Sequence, residues 1–194
     1  IIGEMYREET GVYHYHDGCV ACPHVFGLLT DNAHALLALL KAHEMTGNRK
    51  YIAKAEHIAG FMLSELKDGN NAFFDRAMQS DDIGYLKDRQ KQLMDNAVAA
   101  HALLKLSVMT GKEHYRDAGR EALQEFSHSY AHLGLHAAGY ALAVETYLNP
   151  HELYIVGKKD AEDVKEMLDA TNIYFDPRMA VRLLDPEEDM LLVE

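Results

Sequence analysis

Apolar residues recur at helical spacing through most of the chain. Leu36, Leu39, Leu40 and His43 fall at i, i+3, i+4 and i+7, which is one face of a helix. After a break at Gly47, Tyr51, Ile52, Ala55, Ile58, Ala59 and Met62 continue the period, and Tyr115, Ala118, Ala122 and Phe126 do the same after Gly111. Connections this short make consecutive helices antiparallel neighbours. Asp31 or Asn32, and Asp95 or Asn96, are the expected N-caps, with Gly47 and Gly111 as the residues that end each first helix. A fifth helix is predicted over 134–148, stopped by Asn149-Pro150. Beyond it the pattern changes. Leu153–Gly157 reads as a short strand, 159–170 as an amphipathic helix with Val164, Met167 and Leu168 inward, Ala180–Leu184 as a second strand and Met190–Val193 as a third. The expected organisation is therefore an N-terminal segment with a Cys/His-rich loop (1–30), repeated helical hairpins (31–150) and a small βαβ-like tail (151–194).

The hairpins repeat at an offset of 64. Asp31-Asn32-Ala33 through Met45-Thr46-Gly47 and Tyr51 returns as Asp95-Asn96-Ala97 through Met109-Thr110-Gly111 and Tyr115, with twelve identities over the 21 positions 31–51. Two copies of one structural unit follow. Between them, residues 69–94 form a long connection of the kind that often carries function.

Charge and composition narrow the function classes. The 31 acidic against 19 basic residues leave a net charge of −12, which argues against a surface that tracks phosphates on nucleic acid or an anionic membrane face. With 48% hydrophobic and 26% charged residues the composition is that of a folded globular protein, and no apolar run approaches the length of a membrane span. Two cysteines suit a reducing compartment, so a cytoplasmic location is expected. The chain begins at Ile1, as a processed product or a fragment would.

Several motifs occur in an order that resembles a known family. Gly11-Val12-Tyr13-His14-Tyr15-His16-Asp17-Gly18, Leu29-Thr30-Asp31-Asn32-Ala33, Asp95-Asn96-Ala97 with its Ala/Leu helix and Thr110-Gly111, and Leu153-Tyr154-Ile155-Val156-Gly157 follow one another as in the C-terminal part of thioredoxin-domain-containing proteins related to the N-acylglucosamine 2-epimerases. The resemblance implies a mainly α fold, part of an (α/α)6 toroid of six antiparallel hairpins, and a superfamily of sugar epimerases and glycosidases. This chain carries no thioredoxin-like domain and only about two and a half hairpins, so apolar flanks are expected to be exposed. Self-association through those flanks, or completion by a missing part, follows. The expected function is a helical interaction unit associated with thioredoxin-like domains; the alternative is a carbohydrate-active enzyme with a sugar-binding cavity.

Three sets of residues are candidates for chemistry. Asp31 and Asp95 stand at equivalent helix starts, where two carboxylates serve as general acid and base on a sugar, while N-capping explains them without chemistry. His101, one of five histidines on or near the helices, is the candidate proton carrier among them. Tyr13, His14, His16 and Phe74 are the expected sugar-contacting residues. The run from His14 to His24 holds Cys19 and Cys22 at C-x2-C, and with His16 and His24 it supplies enough ligands for zinc. The same two thiols suit a reversible disulfide or no dedicated role, and a metal- or redox-sensing module is the third functional class. Walker, dinucleotide-binding, G-x-S-x-G and H-E-x-x-H motifs are all absent from the sequence.

Overall fold

The computed structural model describes residues 4–7, 10–16, 23–174, 176–187 and 189. A three-stranded antiparallel sheet comes first, made of β1 (Tyr6–Arg7), β2 (Gly11–His16) and β3 (Pro23–Phe26) in that spatial order. Its register sets Tyr6 opposite Val12 and Tyr15 opposite His24. Strands therefore lie at both ends of the chain, where the sequence pattern placed them only in the tail. The cause is local: in Val12-Tyr13-His14-Tyr15-His16 no apolar face alternates cleanly with a polar one, so the period of 2 is hidden.

Five helices follow. They are α1 (Leu29–Thr46), α2 (Arg49–Phe61, extended by one π turn over Met62–Leu66), α3 (Leu93–Thr110), α4 (Glu113–Glu125) and α5 (Ala138–Leu148). The protein is mainly helical. In one layer α3 packs between α1 and α5; in a second layer α2 lies behind α1 and α4 behind α3. The predicted start of the fifth helix at Gly134 is corrected to Ala138, because Gly134 takes φ 53° and the stretch Tyr130–Ala137 is coiled more tightly, as 3-10 turns.

The two repeated helices also begin earlier than expected, at Leu29 and Leu93, with Leu28 and Gln92 at the N-cap positions and no side-chain cap on either. Asp31 and Asp95 are thus not caps. They sit inside the first turn, where a carboxylate gains from the positive helix end. The repeated asparagines instead act as clamps. Asn32 is fully buried, accepts the Val12 N–H at 3.0 Å and donates to the Leu28 carbonyl at 2.8 Å. Asn96 accepts the Phe73 N–H at 2.7 Å and donates to the Phe73 and Gln92 carbonyls, both at 2.9 Å. Each repeat therefore pins one extended segment against the start of its long helix. The close approach explains Gly11: with φ 71°, a Cβ there would lie 2.3 Å from the Asn32 Oδ1.

The tail is β4 (His151–Val156), α6 (Glu162–Ile173) and β5 (Met179–Leu184), with the two strands parallel in register from His151 opposite Met179 to Val156 opposite Leu184. This is a βαβ unit with its own small core of Ile155, Val164, Leu168 and Val181. The expected third strand at 190–193 lies outside the described residues. Through Ala180 the unit joins the main core, and it covers the C-terminal ends of α1 and α3. Gly47 and Gly111 end those helices with φ 61° and 70°, and their α carbons face Leu183 and Arg182. Glu44, buried at 3% exposure, binds the Lys105 ammonium at 3.1 Å and accepts the Val181 N–H at 3.4 Å. Among the described residues no helix is long and apolar enough to cross a membrane.

Candidate functional site

The end of the helical layer opposite the tail gathers the polar groups. β2 carries His14 to the first turn of α1, where its Nδ1 lies 3.0 Å from one Asp31 oxygen and 3.2 Å from the other. An ionised carboxylate only accepts, so Nδ1–H donates and Nε2 is left as the acceptor. One turn along α1, the His34 Nδ1 donates to the Thr30 carbonyl at 2.8 Å, which fixes its Nε2 as the free basic nitrogen in the neutral ring. Asp95 enters from α3. Burial raises its pKa, the charges of Asp75 and Asp31 raise it further, and a hydrogen bond from the Thr30 hydroxyl and the nearness of His34 oppose the rise. Two helices and the 67–92 connection thus bring Asp31 and Asp75 within electrostatic range of Asp95.

Asp75 is held by its backbone: its N–H donates to the Gln90 carbonyl at 2.7 Å, its carbonyl accepts from Leu29 at 2.9 Å, and its Oδ1 accepts the Gln90 N–H at 3.0 Å. Next to it the Arg89 guanidinium stacks on Phe74 at 3.8 Å from the ring centre, with the Lys91 ammonium at 5.5 Å. Three carboxylates, one of them paired with a histidine, are suited to binding vicinal hydroxyls and to moving a proton.

The raised Asp95 pKa has a testable sign. A carboxyl whose folded pKa lies above its unfolded value favours the folded state fully below the ordinary 3.8, and that advantage is lost as pH rises through the folded value. Asp95→Asn is therefore expected to leave stability unchanged or raise it by roughly 0.5 kcal/mol at pH 7. That difference from the unmodified protein should fade below about pH 4 in urea melts, close to the free aspartate value.

The remaining sequence candidates are dispersed. Tyr13 is half-buried with its ring tilted against Phe26 at 5.8 Å, and His16 is exposed at the end of β2. Phe74 is near the cluster, but a face of its ring is occupied by Arg89. His101 lies on the flank of α3 that meets α5, where its Nδ1 is 3.1 Å from the Thr146 hydroxyl and the Pro177 carbonyl accepts from the ring. Desolvation there lowers its pKa to about 4, with the Lys105 charge adding to the effect, and His101 is not among the groups that act on Asp95. Cys19 and Cys22 lie outside the described residues, as does the side chain of His24. Among the described residues no group of three or more His, Cys, Asp or Glu side chains is arranged to hold a metal ion.

Asp75 was expected from the sequence only as a lining residue of a sugar cleft and the two asparagines only as candidate caps, while Thr30 was not singled out. The repeated Asp-Asn pair was visible there, but only the fold separates the roles of its two members: the aspartate faces the open end and the asparagine faces the core. No protein-family model matches the chain, and no curated protein matches it either.

Proposed function

We propose that the open end of α1 and α3 is a polyol-binding acid–base site of a carbohydrate-active protein, carried on an arc of α-hairpins from an (α/α) toroid. The observation that supports this reading most is the meeting of Asp31 and Asp95, 64 positions apart in the repeat, beside His14 and Asp75. In this arrangement the Asp31–His14 pair presents Nε2 to accept a proton, and Asp95, whose pKa burial raises, is the second carboxyl of the site. Asp75 positions hydroxyls. Calorimetric titration of neutral and N-acetylated hexoses tests it. Asp31→Asn/Asp95→Asn keeps the size of both side chains and is expected to weaken the best ligand at least tenfold. Unchanged binding in the double variant would remove these carboxylates from any sugar site.

A second reading, a helical interaction unit that docks a thioredoxin-like partner or another copy, is favoured by a different feature. Between α1 and α2 runs an apolar groove of about 390 Å³, bordered by Tyr6 and Val12 from the sheet. Its lining of Ala35, Ala38, Leu39 and Ala42 is the type of surface against which a helix packs closely.

A further inference from the structure

The repeat indicates what fills this groove. At the offset of 64 its lining residues correspond to Ala99, Ala102, Leu103 and Leu106 on α3 and to Tyr115, Ala118 and Ala122 on α4. All seven are buried in the second copy, none above 5% exposure, while Val98, the counterpart of the lining residue His34, is half-buried. In the first copy Ala38 is exposed, and Ala35, Ala42 and Tyr51 are half-buried. On α3 these positions lie on the flank turned away from His101, the residue that faces α5, and so they face α1, the other helix packed beside α3 in its layer. The groove is thus the same flank, one step earlier, without a neighbouring helix among the described residues.

The opposite edge of the layer has a complementary face. On α5, Thr146 meets α3 and Tyr140 donates to the Leu123 carbonyl at the end of α4 at 2.9 Å. The third side of α5 carries Ala138, Ala141, Glu145 and Leu148 at i, i+3, i+7 and i+10. Ala138 and Ala141 are exposed, Leu148 is 62% exposed, and Glu145 between them is paired with Arg178 of the tail at 3.2 Å. By the progression from α1 to α3 to α5, this side is where a next helix would lie.

We infer that the groove receives α5 of a second copy of this chain, head to tail, so that the helical layer continues from α5 of one copy into α1 of the next. Ala138 and Ala141 on one face and Ala35, Ala38 and Ala42 on the other let the two backbones approach closely. The contact is heterologous, because different surfaces of the two copies meet. His34 lines the groove and lies one turn below Thr30 and Asp31, so the incoming helix would pass beside the proposed site. The inference rests on the repeat and the two exposed faces, not on the chemistry of the carboxylates, and its test does not use sugar.

The test is sedimentation velocity of the full chain from 5 to 200 µM (about the span in which weak heterologous contacts respond to concentration), with Ala38→Arg and Ala141→Arg. Both alanines are exposed, and circular dichroism checks that each variant keeps its helices. Concentration-dependent association of the unmodified chain is expected, with at least tenfold weaker association in each variant alone. An equimolar mixture should recover a heterodimer, because the intact α5 of Ala38→Arg fits the intact groove of Ala141→Arg. A chain that stays monomeric throughout would overturn the inference. So would association lost in Ala38→Arg but unaffected in Ala141→Arg, which would mean that two grooves face each other.

Discussion

Replacing Glu44 by leucine is expected to destabilise the protein by about 3 kcal/mol, the usual scale when one member of a buried ion pair is removed and the other is left uncompensated. Lys105 would then be a nearly buried ammonium with no carboxylate, and the Val181 N–H would lose its acceptor. Lys41, at 3.4 Å from the other Glu44 oxygen, is half exposed and returns to water at little cost. The informative companion is Glu44→Leu with Lys105→Met. Since two apolar side chains of similar volume need no partner, the double variant should regain most of the lost stability. Guanidinium unfolding of the four members of this cycle measures the coupling. A double variant as unstable as the sum of the singles would mean that the pair contributes through packing at the β5 junction and not through its charges.

The second large effect is a loss of stability on mild acidification, centred on His101. Its folded pKa of about 4 lies below the ordinary 6.5, so the folded state holds the neutral ring while the unfolded chain takes up a proton. For a cation-forming group with a depressed folded pKa the stability is fully present above 6.5 and falls as pH drops from there to about 4, where the folded ring also protonates. A shift of this size corresponds to roughly 3 kcal/mol. Urea midpoints at pH 7.5 and pH 4.5 should therefore separate widely for the unmodified protein. His101→Gln, which keeps a donor and an acceptor for Thr146 and Pro177, should show a much smaller separation. His43 contributes in the same direction, because burial also lowers its pKa, so the variant narrows the difference without abolishing it.

Much of the helical architecture was legible in the sequence because the relevant signals are local and repeated. The i, i+3, i+4, i+7 faces, the two glycines that end α1 and α3, and the identity at an offset of 64 each point to the same antiparallel hairpins. Strand–helix–strand order in the tail was visible from Leu153–Gly157 and Ala180–Leu184. The helix starts were misplaced for a physical reason. Asp-Asn before an alanine-rich run has the composition of a cap, yet Leu29 and Leu93 are already in the first turn, buried at 0% and 7% exposure, because tertiary packing supplies what a cap would. The N-terminal sheet was illegible although its strands pair with sequence neighbours, because the Tyr/His run of β2 offers no clean division into an apolar and a polar face.

The candidate site was legible in part. Asp31 and Asp95 could be placed at one end by the repeat alone, but their partners come from elements with no repeat relation: His14 from β2 and Asp75 from the long connection. His101 illustrates the limit of residue type as a guide. Six residues beyond Asp95 on the same helix, it lies nearly two turns down and on another side, so it meets α5 instead of the cluster.

The hydrogen bond from Val181 to Glu44 spans 137 positions. The hairpins are built from neighbours in sequence and can form as they leave the ribosome, whereas the strand that seals their lower end is synthesised near the close of this stretch of chain. Until then Glu44 and Lys105 remain open to water at the ends of α1 and α3, hydrated and readily separated. Their burial under β5 joins the βαβ unit to the helical layer through Ala180 and Val181.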